Sequence, residues 1–325
     1  MKTHETFPNH APVNKAVNPD RIDPFVDWGF KYLFGREQHK DLLLGFLNHL
    51  LKPEIRICDL HYINTELTPD APDIKHCVVD VLATDEDDNR YLIEMQNVYD
   101  PDIRKRLVYY ACRLVDQMSE RNAKWHYGQI KKVFAICLMN FRFEREDPVL
   151  RCDYQLRSPD GRRLFSDILT VIPLQIPCIR ATSPSEYRKS YEFWLYLLKS
   201  LSEHMKTKDE LMAEIDSLSR FPEETKEIFR KLVNTAEDTL SGEELQLYRH
   251  RREVLIRAMA EHRGAKELGV EEGLAKGREE GLKEGRQEGR GEAFVEAAKA
   301  MKDEGIDLSV ICKCTGLSLD EIRKL

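Results

Sequence analysis

No apolar run in this chain approaches the ~18 residues that mark a membrane-crossing helix, so none is expected. The first twenty residues, MKTHETFPNHAPVNKAVNPD, lack the apolar stretch of a secretory signal and read as a polar arm. The eight cysteines include no Cys-x-x-Cys pair; Cys312 and Cys314 are the nearest two, and no histidine follows His262. That spacing speaks against structural zinc. Cys77 and Cys137 lie inside apolar segments, where a thiol behaves as a small buried hydrophobe, and the expected compartment is a reducing cytoplasm. There is no basic surplus either. The formal net charge is −7, which argues against a protein that coats DNA but leaves room for an enzyme with a local basic groove.

What remains is a 325-residue chain with 42% apolar and 33% charged residues, enough for one large domain or two ordinary ones. Its most informative stretch is CVVDVLA, then TDEDDNR, then YLIEMQNV. Two β-prone segments around an acidic, Asn-containing break predict a β-hairpin. With Asp85 to Asn89 as the loop, Thr84 faces Arg90 and Asp80 comes opposite Glu94. Opposed Cβ atoms on one sheet face are about 5 Å apart, and Gln96 shares the face of Glu94. Two carboxylates and an amide in an apolar setting are ligands suited to Mg²⁺ or Mn²⁺. The same pattern also fits a solvated strand face. Glu66, on the preceding strand, is a further acidic candidate. Asp85 to Asp88 reads as a solvated turn, since it lacks the glycine and terminal Glu spacing of a calcium loop.

Around the hairpin, residues 22 to 52 predict two helices broken at Gly35, with Phe30, Leu33 and Phe34 on one stripe and Leu43, Phe46, Leu47 and Leu50 on another. Pro53 is expected to close the second. Ile55 to Leu67 reads as a strand, and Thr68 to Asp73 as a turn. Asp100-Pro101-Asp102 reads as a helix start with Pro at the first helical position, the helix running to about Glu120. Residues 132 to 143 predict a strand. Residues 147 to 179 predict two more, joined by a turn at Ser158 to Gly161. After Pro184 the pattern turns helical, with a core stripe of Tyr187, Tyr191, Trp194, Leu195 and Leu198.

The order α-α-β-β-β-α-β-β-β, with Asp80 before a turn and the strand Ile93-Glu94-Met95-Gln96 after it, resembles the Asp…(Glu)-x-(Lys/Gln) core of PD-(D/E)XK nucleases. Phe30-Lys31-Tyr32-Leu33-Phe34-Gly35, the Phe46-Leu47-Asn48 helix and the later strand Val133 to Met139 make it similar to the Rpn family of recombination-promoting nucleases, often labelled transposases. The resemblance covers roughly residues 22 to 180. It implies an α/β fold: a restriction-endonuclease-like mixed sheet with flanking helices, followed by an all-helical C-terminal region. It also implies a Mg²⁺-dependent (or Mn²⁺-dependent) DNA endonuclease. Asp80, Glu94 and Gln96 would be its catalytic set, and Asp80, Glu94 and the Met95 carbonyl its metal ligands. Arg106 and Tyr110, one turn apart on the next helix, would contact the substrate beside Arg104 and Lys105. Lys31 would contact substrate from the first helix, with Asp27 beside it in an open role. Gln96 stands where many relatives carry Lys and brings no positive charge. Two other readings compete: a non-catalytic DNA-binding or assembly protein that keeps the fold, and a toxin-like nuclease of phage defence.

The expected organisation is an arm over 1–21, a nuclease-like domain over 22–182 and a helical region over 183–262. A charged Gly-repeat linker over 263–291 and a small helix-turn-helix-like unit over 292–325 complete it. Gly273, Gly277, Gly281, Gly285 and Gly289 recur every fourth residue among charges of both signs. Each glycine weakens a helix by ~1 kcal/mol, yet i,i+4 ion pairs support one. A helical linker that assembles a homo-oligomer is the preferred reading. In the last unit, Lys313, Arg323 and Lys324 are the main cations, thin chemistry for reading bases.

Overall fold

The structure is a computed structural model that describes residues 17–51, 56–67, 77–119, 125–143, 148–181 and 183–325. The expected closure of the second helix at Pro53 and the turn over residues 68–73 lie outside the described residues. The chain divides at Met259/Ala260 into two compact units.

The first unit opens with α1 (Asp27–Phe34) and α2 (Lys40–Leu50), each burying the apolar stripe read from the sequence. Short strands follow: β1 (Leu60–Tyr62), β2 (Glu66–Leu67), β3 (Cys77–Val78) and β4 (Val81–Asp85). The segment expected as one strand over 55–67 is therefore two, because β2 leaves the main sheet to pair with β3. Next come β5 (Arg90–Gln96), α3 (Ile103–Asp116), β6 (Val133–Met139), β7 (Tyr154–Arg157) and β8 (Leu164–Gln175). The six-stranded sheet has the order β1-β4-β5-β6-β8-β7. Its edges are antiparallel, while β5, β6 and β8 run parallel. This mixed sheet with flanking helices is the restriction-endonuclease-like arrangement. The turn between β7 and β8 forms where expected, with Gly161 at φ 72°, a conformation open to glycine at little steric cost.

Both faces of the sheet are covered, so the central strands read as unbroken apolar runs; every residue of β6 is buried. On one face, Leu92, Val133, Ala135 and Cys137 pack beneath Ile103, Leu107, Ala111 and Leu114 of α3. On the other, Tyr91, Ile93, Phe134 and Ile136 meet α1 and α2 and the helices that follow the sheet. Those are α4 (Ser190–Glu203), α5 (Lys208–Asp216) and α6 (Glu223–Ala236). Trp194 is fully buried, and its indole N–H donates to His49 Nδ1 at 2.8 Å. Burial lowers the His49 pKa, which keeps the neutral ring that accepts this bond.

α1 is held by a close approach. A Cβ at Gly29 would stand 2.1 Å from the Asp23 carbonyl oxygen, so no other residue fits there without a shift. Tyr248 fastens the same corner, donating to the Arg21 carbonyl at 2.6 Å and accepting from the Asp23 amide at 2.9 Å.

α7 (Gly242–Asp303) is a helix of 62 residues, capped by the Ser241 hydroxyl on the Glu244 amide. The glycine repeat lies inside it, and a Cβ on any of its five repeating glycines would meet nothing within 4 Å. In the second unit the end of α7 packs with α8 (Leu308–Thr315) and α9 (Leu319–Lys324) around Ala298, Ile311 and Ile322. Ser318 caps α9 through a capping box with Glu321. Among the described residues, no helix is long and apolar enough to cross a membrane.

Candidate active site

The hairpin forms in the register read from the sequence, with Thr84 paired to Arg90 and Val81 to Ile93. The next pair would be Asp80 and Glu94, but the ladder stops at Val81. CVVDVLA is not one strand: it breaks at Val79-Asp80 between β3 and β4. The Asp80 side chain turns into the gap, and its Oδ2 accepts the Met95 amide at 2.8 Å. A carboxylate takes the place of the backbone carbonyl that a continuing strand would have presented. In an extended strand the N–H and C=O of a residue point to the same edge, so the Met95 carbonyl also lies on the Asp80 side.

The acidic turn corrects one expectation. Asp85 is buried rather than solvated. It accepts from the amides of Asp87 and Asn89 at 3.0 and 2.8 Å, from Asn89 Nδ2 at 2.9 Å and from the Tyr91 hydroxyl at 2.7 Å. A short side chain that satisfies its own turn stabilises Asp88 at φ 63° and seals this end of the hairpin.

Glu94 points to the α3 face. Only 4% of its surface is exposed. Its Cα partner on β6 is Cys137, whose thiol pKa is pushed well up by burial and then by the Glu94 charge. Glu94 Oε2 accepts from Gln96 Nε2 at 3.2 Å, while Oε1 is buried without a hydrogen-bond partner among the described residues. The Glu94 pKa is raised, first by burial and then by the charge of Asp80, against the attraction of Arg106. The Asp80 pKa is raised as well, chiefly by burial; the Met95 amide and Lys31 oppose this, and Asp27 adds to it.

Lys31 reaches the pair from α1, with Nζ 2.6 Å from Asp27 Oδ1 and 3.6 Å from Asp80 Oδ1. Burial works to lower its pKa, but Asp27 and Asp80 outweigh it and the ammonium is held charged. Arg106, on α3, pairs through Nη1 with Asp100 Oδ2 at 2.8 Å. Its Nε is buried with no hydrogen-bond partner among the described residues. Tyr110 packs under α3 against the core of that face. Lys105 pairs with Asp102 instead, and Arg104 stacks on Phe143. Glu66 is exposed on the small β2/β3 sheet and makes no ion pair among the described residues.

The start of α3 also differs from expectation. Asp102 is the N-cap and Pro101 precedes the helix. Just upstream, the Asp100 side chain accepts the Asp102 amide at 2.9 Å, a capping type of bond, and its other oxygen accepts from Arg106. Asp100, the partner of Arg106, is the residue of the candidate site that the sequence did not single out, because an Asp before Pro reads first as a cap. The juxtaposition of Cys137 and Glu94 left no sequence signal, since a parallel register is set across the whole α3 crossover.

The arrangement fits a hard divalent cation. It offers two carboxylates and a carbonyl, one carboxylate oxygen is buried and unpartnered, and two like charges need a counter-charge. Among the described residues no group of three or more His, Cys, Asp or Glu side chains is placed to hold a metal, so protein carboxylates alone would not complete a coordination shell. Mg²⁺ commonly keeps waters and substrate phosphates in the remaining positions.

Residues 24–261 match the family described as PD-(D/E)XK nuclease family transposase. No curated protein and no solved structure is similar enough to the chain to match. The family match runs from just before α1, through the broken hairpin and α3, to the first turns of α7, well over half of the 325 residues. The chain therefore belongs to the PD-(D/E)XK nuclease family transposases.

Proposed function

We propose that the protein is a metal-dependent DNA endonuclease that hydrolyses phosphodiester bonds, in the setting of DNA recombination or mobile elements that the family description suggests. The observation that carries this reading is the buried, unpartnered Glu94 Oε1 beside Asp80. Two carboxylates that burial holds away from ionisation cost the fold stability unless a cation compensates them.

Asp80, Glu94 and the Met95 carbonyl would hold Mg²⁺ or Mn²⁺. A bound divalent ion supplies Lewis-acid charge at the phosphate and lowers the pKa of a nucleophilic water. The other steps fall to side chains. Gln96, already within reach of Glu94, can orient a water through its amide but cannot neutralise charge. Lys31 carries the positive charge that Gln96 lacks and stands on the Asp80 side. Arg106 approaches from the α3 side, held by Asp100. The two cations flank the carboxylates where a phosphate would enter, and Tyr110 adds a hydroxyl one turn beyond Arg106.

The test is nicking of supercoiled plasmid with Mg²⁺ and with EDTA. Wild-type protein should nick only with metal, and Asp80→Ala should not nick. Pure wild-type protein that nicks nothing across several divalent metals would refute the reading, as would full activity in Asp80→Ala.

A further inference from the structure

An aromatic and cationic surface adjoins the two candidate carboxylates; Phe141 and Phe143 anchor it to the core of the α3 face, and Tyr99 and Arg104 are its exposed members. Tyr99 lies three residues beyond Gln96, so chain geometry keeps it within about 11 Å of that Cα. Its side chain is 40% exposed, and it meets the Phe141 ring edge-on at 5.6 Å and 84°. Its hydroxyl makes no hydrogen bond among the described residues. Phe141 follows Met139, the Cα partner of Gln96 on β6, by two positions. Asn140, between them, donates its amide to the Gln96 carbonyl at 2.8 Å. The loops after β5 and β6 therefore leave the sheet side by side at the end that carries Glu94 and Gln96.

Charge completes the surface. The Arg104 guanidinium lies 4.2 Å over the Phe143 ring, is exposed and forms no ion pair among the described residues. The nearby acids are already compensated, Asp100 by Arg106 and Asp102 by Lys105, each at 2.8 Å. Among the described residues the patch therefore presents aromatic rings and one cation, Arg104, that no acid compensates, in a chain whose overall charge is negative. Aromatic rings beside cations are how proteins hold unpaired nucleotides, because every base has a face that can stack. Bases inside a duplex have both faces covered, so such a ring engages only bases that are single-stranded, frayed or flipped.

We propose that Tyr99, supported by Phe141 and with Arg104 on the backbone phosphates, stacks on an unpaired base beside the scissile phosphate, so that the site takes single-stranded or locally opened DNA. This rests on the nuclease reading for the position of the scissile phosphate but not for the binding itself, which can be measured without metal or cleavage.

The experiment uses the full chain in EDTA with a fluorescein-labelled twelve-nucleotide oligothymidylate and a blunt duplex of equal length. Tyr99→Ala should bind the single strand roughly fivefold to a hundredfold more weakly, the range found when one stacking aromatic is removed. Tyr99→Phe should restore it, and duplex affinity should change less than about twofold. Thermal melting should show both variants folded. In wild-type protein, an oligonucleotide carrying bromodeoxyuridine should photo-cross-link to the peptide containing Tyr99, a readout that needs no variant. The proposal is overturned if Tyr99→Ala binds the single strand as wild type does, if it loses both DNAs equally, or if the cross-link maps elsewhere. Intact Tyr99-dependent binding with no metal-dependent nicking would reject the nuclease reading and leave this one standing.

Discussion

Asp80 accepts the Met95 amide at 2.8 Å, a bond that ties the two strands of the hairpin together at the candidate site. It lies just before the start of β4, holds a carboxylate whose charge Glu94 feels, and leaves the Met95 carbonyl on the same edge of β5. Burial raises the pKa of both carboxylates here, so the proposed function would set chemistry against stability at this corner, and that can be measured.

The metal-free protein should lose stability as pH rises. Asp80 and Glu94 both have folded pKa values above the ordinary carboxylate range, Glu94 at about 8. A carboxyl with a raised folded pKa binds its proton more tightly folded than unfolded, so its stabilising effect is complete at low pH and fades as pH climbs through the window between the two values. In EDTA the melting temperature should fall from about pH 5 to about pH 8, and the Glu94→Gln variant should fall less steeply. Near pH 8 that variant should be the more stable protein by about 1–3 kcal/mol while losing cleavage. Parallel pH profiles for the two proteins would contradict a compressed pair of carboxylates.

Mg²⁺ should reverse this order. Bound to the folded state alone it raises stability by mass action, so the wild-type melting temperature should rise with metal concentration and that of Asp80→Asn should not. Calorimetric titration of both proteins checks it.

Lys31→Ala should reduce plasmid nicking roughly 10- to 100-fold at saturating metal, the scale of losing one charge that faces the reacting phosphate. Lys31→Arg should recover part of it. A variant with full activity would remove Lys31 from the site despite its 3.6 Å approach to Asp80.

Gly29→Ala should destabilise the fold by about 1–3 kcal/mol, the usual cost of overpacking, because the new methyl meets the Asp23 carbonyl. Urea unfolding reads this directly. Asp85→Ala should cost a similar ~2–4 kcal/mol by leaving the Tyr91 hydroxyl and two turn amides without an acceptor.

The glycine-repeat helix is expected to assemble the chain. Light scattering should give an oligomer for the full protein and a monomer for a chain ending near residue 260.

Much of the architecture was legible because local rules decide it. The 3.6-residue stripes of α1 and α2, the Ser158–Gly161 turn and the Ser318 cap each depend on a few neighbouring residues. The hairpin register was legible too, since the length of the turn sets which residues face each other. Five helix-weakening glycines still lie within a continuous α7, and the opposite charges at i,i+4 spacing explain why that is tolerable.

Sequence alone determined the hairpin, its two carboxylates and the helix that follows. Only tertiary structure decided that β4 begins at Val81 so that the Asp80 side chain fills the gap beside β5, that Asp85 is buried, and that Asp100 holds Arg106. It also decided that Lys31 arrives from a helix some fifty positions away and that Cys137 sits against Glu94. The physical reason is range. Periodicity and turn chemistry act over a few residues, whereas burial, charge pairing and parallel register are set by segments that meet only when the chain has closed around its core.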